Sequence, residues 1–284
     1  MKKIGIIGQG FVGTAIREGL KSTFKVETYD KFKEEVSTCT SLEEVAEKCK
    51  IVFFCLPTPM RANGSCDIRL LKSEIVRFNK ICKDRNFKGR IGIIKSTVIP
   101  GTTDSIDAMC GEISVVFSPE FLTEANHIED FKNQTRIIVG GKRPASSQVK
   151  TMFRKAFPQI PIVKTSTTIA ETVKYFINCF LATKVTFANE MYEICQSLDI
   201  DYDKVTEYAL YDTRIGRSHF SVPGPDGDLG FGGHCFPKDL SAMITLAKNF
   251  NLEPMLLEAA QEKNNQVRSD RDWEKMKGRA VSDD

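Results

Sequence analysis

At 284 residues, with 41% hydrophobic and 27% charged side chains, the chain is long enough to bury a sizeable core as one large domain or two modest ones. A net charge of +3 carried by scattered lysines and arginines argues against nucleic-acid or membrane-surface partners, and no stretch approaches the roughly 18 apolar residues that span a bilayer. Nine cysteines, an odd count with no CxxC and with Cys55, Cys179 and Cys195 inside apolar runs, read as reduced core thiols and point to the cytoplasm.

The N-terminal apolar run Ile4–Ile7 is too short for a signal peptide and leads into glycines. It is the first of seven predicted strands: Lys3–Ile7, Lys25–Tyr29, Ile51–Leu56, Arg90–Lys95, Ile113–Phe117, Arg136–Val139 and Pro161–Val163. Helical stretches separate them, which predicts an α/β domain with a Rossmann-like doubly wound parallel sheet over residues 1–165. Ile51–Leu56 (IVFFCL) is apolar throughout, as a strand covered on both faces must be. From Ser166 the pattern turns helical. Thr168, with Glu171 three residues on, reads as a capping box opening a helix over 168–199. Further helices fit Asp203–Tyr211, Pro237–Asn249 and Glu253–Val267, so residues 166–268 form an all-helical domain. The charged tail, 269–284, is expected to fray.

The first strand runs into Gly8-Gln9-Gly10-Phe11-Val12-Gly13, and the second ends at Asp30, 17 residues after Gly13. In such a loop the first glycine permits the tight turn, the second admits a pyrophosphate, and the third lets helix pack on strand. The helix N-terminus offers free N–H groups to the anion. A carboxylate at Asp30 suits the ribose hydroxyls and repels a 2′-phosphate, which favours NAD over NADP. FAD uses the same fingerprint.

Gly232-Gly233-His234-Cys235-Phe236-Pro237-Lys238-Asp239 is the most informative segment. Pro237 suits the first helical position, with Phe236 as the N-cap and Cys235 just outside it. The positive helix end would favour a thiolate there, and the glycines leave room for substrate. On the long helix, Lys174 and Asn178 are four apart and share a face. From these two residues alone, an oxyanion-holding pair and a snorkelling lysine beside an ordinary asparagine fit equally well. The loops Lys95–Thr102 and Ser118–Glu124 follow strands, where ligands of open α/β sheets bind. His127, His219 and His234 show no metal-ligand spacing, so no metal is expected. His234 is a candidate base for Cys235 or a neighbour pointing away.

With these residues in view, the chain resembles the UDP-glucose/GDP-mannose dehydrogenase family. The motifs are GQGFVG, CLPTP, KSTVIPGTT, SPEFLTE, ETVKYFINCFLATKVTFANE, DTRIG and GFGGHCFPKD, in order from residue 1 to about 268. The resemblance implies an NAD-dependent enzyme that oxidises the C6 alcohol of a nucleotide sugar, UDP-glucose foremost, in two steps. Cys235 would form a thiohemiacetal and then a thioester. Lys174 and Asn178 would stabilise oxyanions, Thr97 and Asp239 would position a water, and Glu120 would help activate water for hydrolysis. Thr58, Ser96, Thr97, Glu124 and Lys238 would join the glycine loop and Asp30 in holding NAD. Glu120, Phe121, Leu122, Glu124, Lys174, Asn178, Phe231 and Gly232 would meet the substrate, with Arg214 reaching it from an adjoining subunit. A homodimer through helix 168–199 follows.

Two departures stand out. The family continues into a third, C-terminal domain that holds much of the nucleotide half of the substrate, whereas here only its connection begins, at Glu258–Val267, as expected either of a short form or of part of a longer protein. The stretch Val222–Leu229 is longer than usual. The alternatives are a single-oxidation β-hydroxyacid dehydrogenase-like enzyme, which has no need of GFGGHCFPKD, and a non-catalytic NAD-binding remnant.

Overall fold

The structure, a computed structural model, describes residues 2–283. The chain forms two compact units, Met1–Thr58 with Ile68–Lys174, and Pro59–Asp67 with Tyr175–Asp284.

The first unit is built on a seven-stranded sheet: β1 (Lys3–Ile7), β2 (Lys25–Tyr29), β3 (Ile51–Phe54), β4 (Arg90–Ile94), β5 (Ile113–Phe117), β6 (Ile137–Gly140) and β7 (Ile162–Thr165). Their order is β2-β1-β3-β4-β5-β6-β7, parallel except where β5 meets β6. Six helices alternate with the strands: α1 (Phe11–Leu20), α2 (Leu42–Lys48), α3 (Arg69–Asp84), α4 (Thr102–Met109), α5 (His127–Lys132) and α6 (Ala145–Ala156). The apolar strands are explained by cover on both faces. Val52 and Phe54 pack with Val45, Ile75 and Phe78 of α2 and α3, whereas Phe53, between them, packs with Ile16 and Phe153 of α1 and α6. The strand order reverses between β1 and β3, the place where ligands of such sheets bind, and the loops after β1, β3, β4 and β5 all leave from that carboxyl edge.

A single helix, α7 (Thr167–Ser197), runs from the end of the first unit into the second. Its start differs from the expected capping box. The Ser166 hydroxyl accepts from Ile169 N–H at 3.3 Å. The Glu171 carboxylate accepts instead from Gly101 N–H (2.7 Å) and Thr103 N–H (2.8 Å), and so caps α4 and fixes the Lys95–Thr102 loop. Ser166, Thr167 and Thr168 are equivalent in sequence as caps, and the carboxylate is drawn to the N–H groups that lack helical partners. Burial raises the Glu171 pKa, with hydrogen bonds from Thr103 and Gly101 opposing. Glu171→Ala strands two N–H groups beside a fully buried position and should lower stability by about 3 kcal/mol, a thermal-melt shift of roughly 6–12 °C.

The second unit continues α7 and adds α8 (Tyr202–Ala209), α9 (Phe236–Asn249) and α10 (Met255–Val267). Cys179 and Ala182 of α7 pack with Leu240 and Ile244 of α9 and Ala260 of α10. Contrary to expectation, the described part of the tail, residues 269–283, is packed. Trp273 and Ala280 are buried, Met60 N–H donates to Ala280 C=O (2.8 Å), and Ser282 N–H donates to Met60 C=O (2.7 Å). The long Val222–Leu229 stretch anchors the start of the tail. Asp226 pairs with Arg268 at 2.6 Å, and Asp228 accepts from Ser269 and Asp270 N–H. Among the described residues, no helix is long and apolar enough to cross a membrane.

Candidate active site

In the first unit, the glycine loop joins β1 to α1. Gly8 has φ +90°, and a Cβ there would lie 2.4 Å from the Cys55 carbonyl oxygen, while one on Gly13 would lie 1.9 Å from that of Gly8. Only glycine satisfies both positions. At Gly10, the N-cap of α1, nothing lies within 4 Å of where a Cβ would stand, so the backbone is open to a close-approaching anion. Asp30 takes Gln9 N–H (2.7 Å) on one oxygen and Phe32 N–H (2.9 Å) on the other, which orients the carboxylate beside the loop. This cradle fits a dinucleotide: an approachable helix start for the pyrophosphate and a fixed carboxylate for the ribose. Phe11 stacks edge-on against His127, with ring centroids 5.0 Å apart. Thr58 Oγ1 donates to Thr97 C=O (2.7 Å) and Ser96 Oγ to Leu56 C=O (2.5 Å), tying the loops after β3 and β4 together.

The same unit holds a buried charge cluster. Lys174 Nζ lies 2.9 Å from Glu120 Oε1, and Glu120 Oε2 accepts from Leu122 N–H at 2.7 Å. Burial would push Glu120 up, but Lys174 and that N–H hold it below the ordinary carboxylate range, so the group stays ionised. Lys174 also lies over the Phe121 ring. Beneath them is Lys95, not singled out by sequence, whose ammonium donates to Pro119 C=O at 2.9 Å. Burial pushes Lys95 down to about 8, with Glu120 and Cys55 opposing and Lys174 adding to the shift. An unfolded lysine titrates near 10.4, so between pH about 8 and about 10.4 the unfolded chain holds a proton that the folded chain has lost. Stability from this group therefore rises with pH across that window, and the full cost of the buried charge is felt below it. Relative to Lys95→Met, the natural chain should gain about 2 kcal/mol between pH 7.5 and 9.5, measurable by denaturant unfolding at both values.

In the second unit, the Gly230–Gly233 loop is pinned from several sides. Asn189 Oδ1 accepts Gly230 N–H, Asn264 grips both backbone groups of Phe231, and Asp272 accepts Gly233 N–H at 3.0 Å. The Phe231 ring is buried against Phe236. A side chain on Gly232 would collide with Arg268. The helix that follows starts one residue earlier than expected: α9 begins at Phe236, and Cys235 is itself the N-cap. The sulfur is thus still closer to the helix's free N–H groups. It is half-buried, and His234 Nε2 lies 3.4 Å away. One turn on, Lys238 pairs with Asp239, whose other oxygen accepts from Asn178 Nδ2 at 2.6 Å, all three being buried. Burial opposes charge on Lys238, yet Asp239 and the nearby Cys66 and Cys235 hold it above the ordinary lysine range. Burial pushes the Cys49, Cys55 and Cys179 thiols up to about 12 and those of Cys82 and Cys110 to about 11. A cavity of about 750 Å³ lies between the loop at Met60–Gly64, α9, α10 and the tail, with Arg61, Lys248 and Arg271 in its wall.

Arg214 stands apart, exposed and paired with Asp212, and Glu124 lies on an exposed loop. Sequence reading missed Lys95, Asn189, Asn264 and Asp272, and gave Glu171 to the cap of its own helix. All except Asp272 are polar residues in buried or apolar surroundings.

Residues 16–160 match the UDP-glucose/GDP-mannose dehydrogenase family, NAD binding domain, and residues 168–266 match the central domain of the same family. The chain belongs to the UDP-glucose/GDP-mannose dehydrogenase family. Its first unit is accordingly an NAD-binding domain, in agreement with the cradle at Gly8–Gly13. The chain is 34% identical over 234 residues to UDP-glucose 6-dehydrogenase YwqF of Bacillus subtilis, covering 80% of this chain and 51% of that protein. It is 33% identical over 226 residues to UDP-glucose 6-dehydrogenase AglM of Haloferax volcanii, covering 75% and 51%. Among solved structures, a UDP-glucose dehydrogenase from Pyrobaculum islandicum superposes with TM-score 0.84 at 28% identity, over 94% of this chain and 68% of that one. This family member therefore spans about half the length of the curated relatives it matches.

Proposed function

We propose that this family member is an NAD-dependent nucleotide-sugar 6-dehydrogenase that oxidises the C6 alcohol to the carboxylate, with UDP-glucose as its first candidate substrate. The observation that carries the reading is Cys235 at the N-cap of α9, one turn from the Lys238–Asp239–Asn178 network. The relatives' names support the substrate class.

When bound, NAD supplies the two-electron acceptor for each oxidation; the residues of the chain do the rest. The glycine loop holds the pyrophosphate and Asp30 the ribose, with Thr58, Ser96 and Glu124 on loops of the same unit. Thr97 and Asp239 serve the water that takes the alcohol proton. An aldehyde has no carbinol hydrogen to give up until something adds to its carbon. Cys235 adds there, which makes the second oxidation possible and prevents release of the aldehyde. Lys174 and Asn178, one turn apart on α7, donate to the oxygen that becomes negative. Asp239 holds one amide hydrogen of Asn178 and leaves the other for that oxygen. Glu120, kept ionised by Lys174, accepts a proton from the water that releases the thioester. Phe121, Leu122, Phe231 and Gly232 border the sugar.

Incubation with UDP-glucose and NAD should give two NADH per carboxylate formed, by absorbance and product chromatography. One NADH per ketone or aldehyde would support single oxidation instead, and no NADH across a panel of nucleotide sugars would leave a cofactor-binding remnant.

The proposal includes a homodimer through α7. Phe176, Phe180, Phe187, Ile194 and Leu198 are all exposed, at spacings of four and seven along the helix. Phe180 and Phe187 are 60% and 54% accessible, more than a solvated face carries without a partner. Phe180→Asp with Phe187→Asp should halve the mass seen by light scattering. It should also raise KM for the sugar nucleotide, because Arg214 is read as serving the neighbouring subunit.

A further inference from the structure

The His234 ring stands between two groups of the second unit. Its Nε2 lies 3.4 Å from Cys235 Sγ, and its Nδ1 lies 3.2 Å from an Nη of Arg279. A guanidinium carries only donors and keeps its proton at any pH a protein survives. Its approach to Nδ1 requires a lone pair on that nitrogen. The proton of the neutral ring therefore sits on Nε2 and points at the sulfur. A base for Cys235 would need the reverse, a lone pair on Nε2.

We propose that Arg279 locks His234 in the Nε2–H tautomer, so that His234 donates a hydrogen bond to the Cys235 sulfur and does not act as its base. The inference rests on Cys235 being the nucleophile. Arg279 is then a positioning residue, and the tail that carries it, beyond the family-matched residues 168–266, is part of the site. Its anchorage supports this role: the next residue, Ala280, is buried and bonded to Met60.

The thiol proton leaves to solvent through the half-exposed side of Cys235. The remaining charge is shared by His234 Nε2–H, the start of α9 and Lys238. Charged groups near the segment within the second unit include Asp239 on α9, which Lys238 and Asn178 occupy, Asp272, which holds Gly233 N–H, and Arg268, which neutralises Asp272 and Asp226. On addition, the S–C bond forms and the carbonyl π pair moves to oxygen, where the oxyanion donors receive it. When water releases the thioester, the S–C bond breaks with its pair on sulfur, and Nε2–H meets the departing thiolate. An imidazole base would have handed a proton back to that sulfur.

The test is the pH dependence of Cys235 alkylation by iodoacetamide, followed by mass spectrometry on the full chain. Cys49, Cys55, Cys82, Cys110 and Cys179, pushed up to about 11 or 12, lie outside the window used, and peptide mapping reads Cys235 apart from the remaining thiols. Arg279→Ala should raise the midpoint by about one pH unit, the scale of a hydrogen bond to a charged group. His234→Ala should raise it as much, and the double variant no further. His234→Gln, whose amide can donate, should keep the midpoint near the natural value and make it indifferent to Arg279→Ala. Arg279→Lys, which still only donates to Nδ1, guards against a folding defect and should sit close to the natural chain. A midpoint that falls or stays put in Arg279→Ala overturns the proposal, as do strictly additive shifts. Alkylation needs no substrate, so this outcome is separate from loss of the functional reading, which would show as full turnover in a chain lacking the thiol.

Discussion

Cys235→Ala should lower carboxylate formation on the order of 10⁴-fold or more while leaving NAD binding intact, because the variant has no atom that can hold the aldehyde for a second oxidation. The first oxidation needs only the alcohol, the acceptor and the proton-handling groups. A slow release of aldehyde with one NADH is therefore the expected residue of activity, to be read by trapping the product with a hydrazine reagent. Cys235→Ser should behave similarly, since a hydroxyl at the start of α9 stays protonated near neutral pH where a thiol ionises. Carboxylate produced by Cys235→Ala at the natural rate would remove the covalent mechanism.

Lys174→Met should damage both stability and turnover, and the two effects can be separated. The substitution leaves Glu120 as a buried carboxylate with only the Leu122 N–H and the more distant Lys95 to support it. Breaking one half of a buried pair in this way destabilises by about 3–5 kcal/mol. Turnover should fall a further 10²–10³-fold, on the order expected when one oxyanion donor is removed. Adding Glu120→Gln should restore much of the melting temperature, because the stranded charge is gone, yet restore no activity. If the double variant melts as low as the single one, the ion pair is not what stabilises this corner. Activity near the natural level in Lys174→Met would remove the lysine from the chemistry.

Much of this was legible in the sequence wherever the signal is local and periodic. Lys3–Ile7, Lys25–Tyr29 and Ile113–Phe117 are strands over the residues expected, and the long helix begins and ends within two residues of its predicted bounds. Short runs rich in β-branched residues between helical stretches have few other ways to fold. Long-range polar bonds were illegible, because they leave no period. Glu171 capping α4 across 70 residues, or Asn264 holding Phe231 across 33, looks in sequence like any surface residue on a helix. Spacing alone therefore places Glu171 in the cap of its own helix. Charge misleads in the tail: Arg268, Asp270 and Asp272 look solvated when counted, but they satisfy one another and the Val222–Leu229 loop, and the chain's one tryptophan, Trp273, marks the buried side. At the site, the cradle, the thiol and the Lys174 and Asn178 positions could be named from motifs. The partners that orient them, Lys95, Asp239 toward Asn178, and Arg279, required coordinates.

The antiparallel join in the sheet has a thermal consequence. β5 and β6 share one register pair, Phe117 with Gly140, where β4 and β5 share five. The β6–α6–β7 layer is therefore attached chiefly by side chains, Val139, Val149 and Phe153 among them, seated against Phe53 and Val116. Attraction of that kind fades as water is chilled, whereas a hydrogen-bonded ladder does not rely on it. Refrigeration would loosen this flank before the five parallel strands beside the glycine loop.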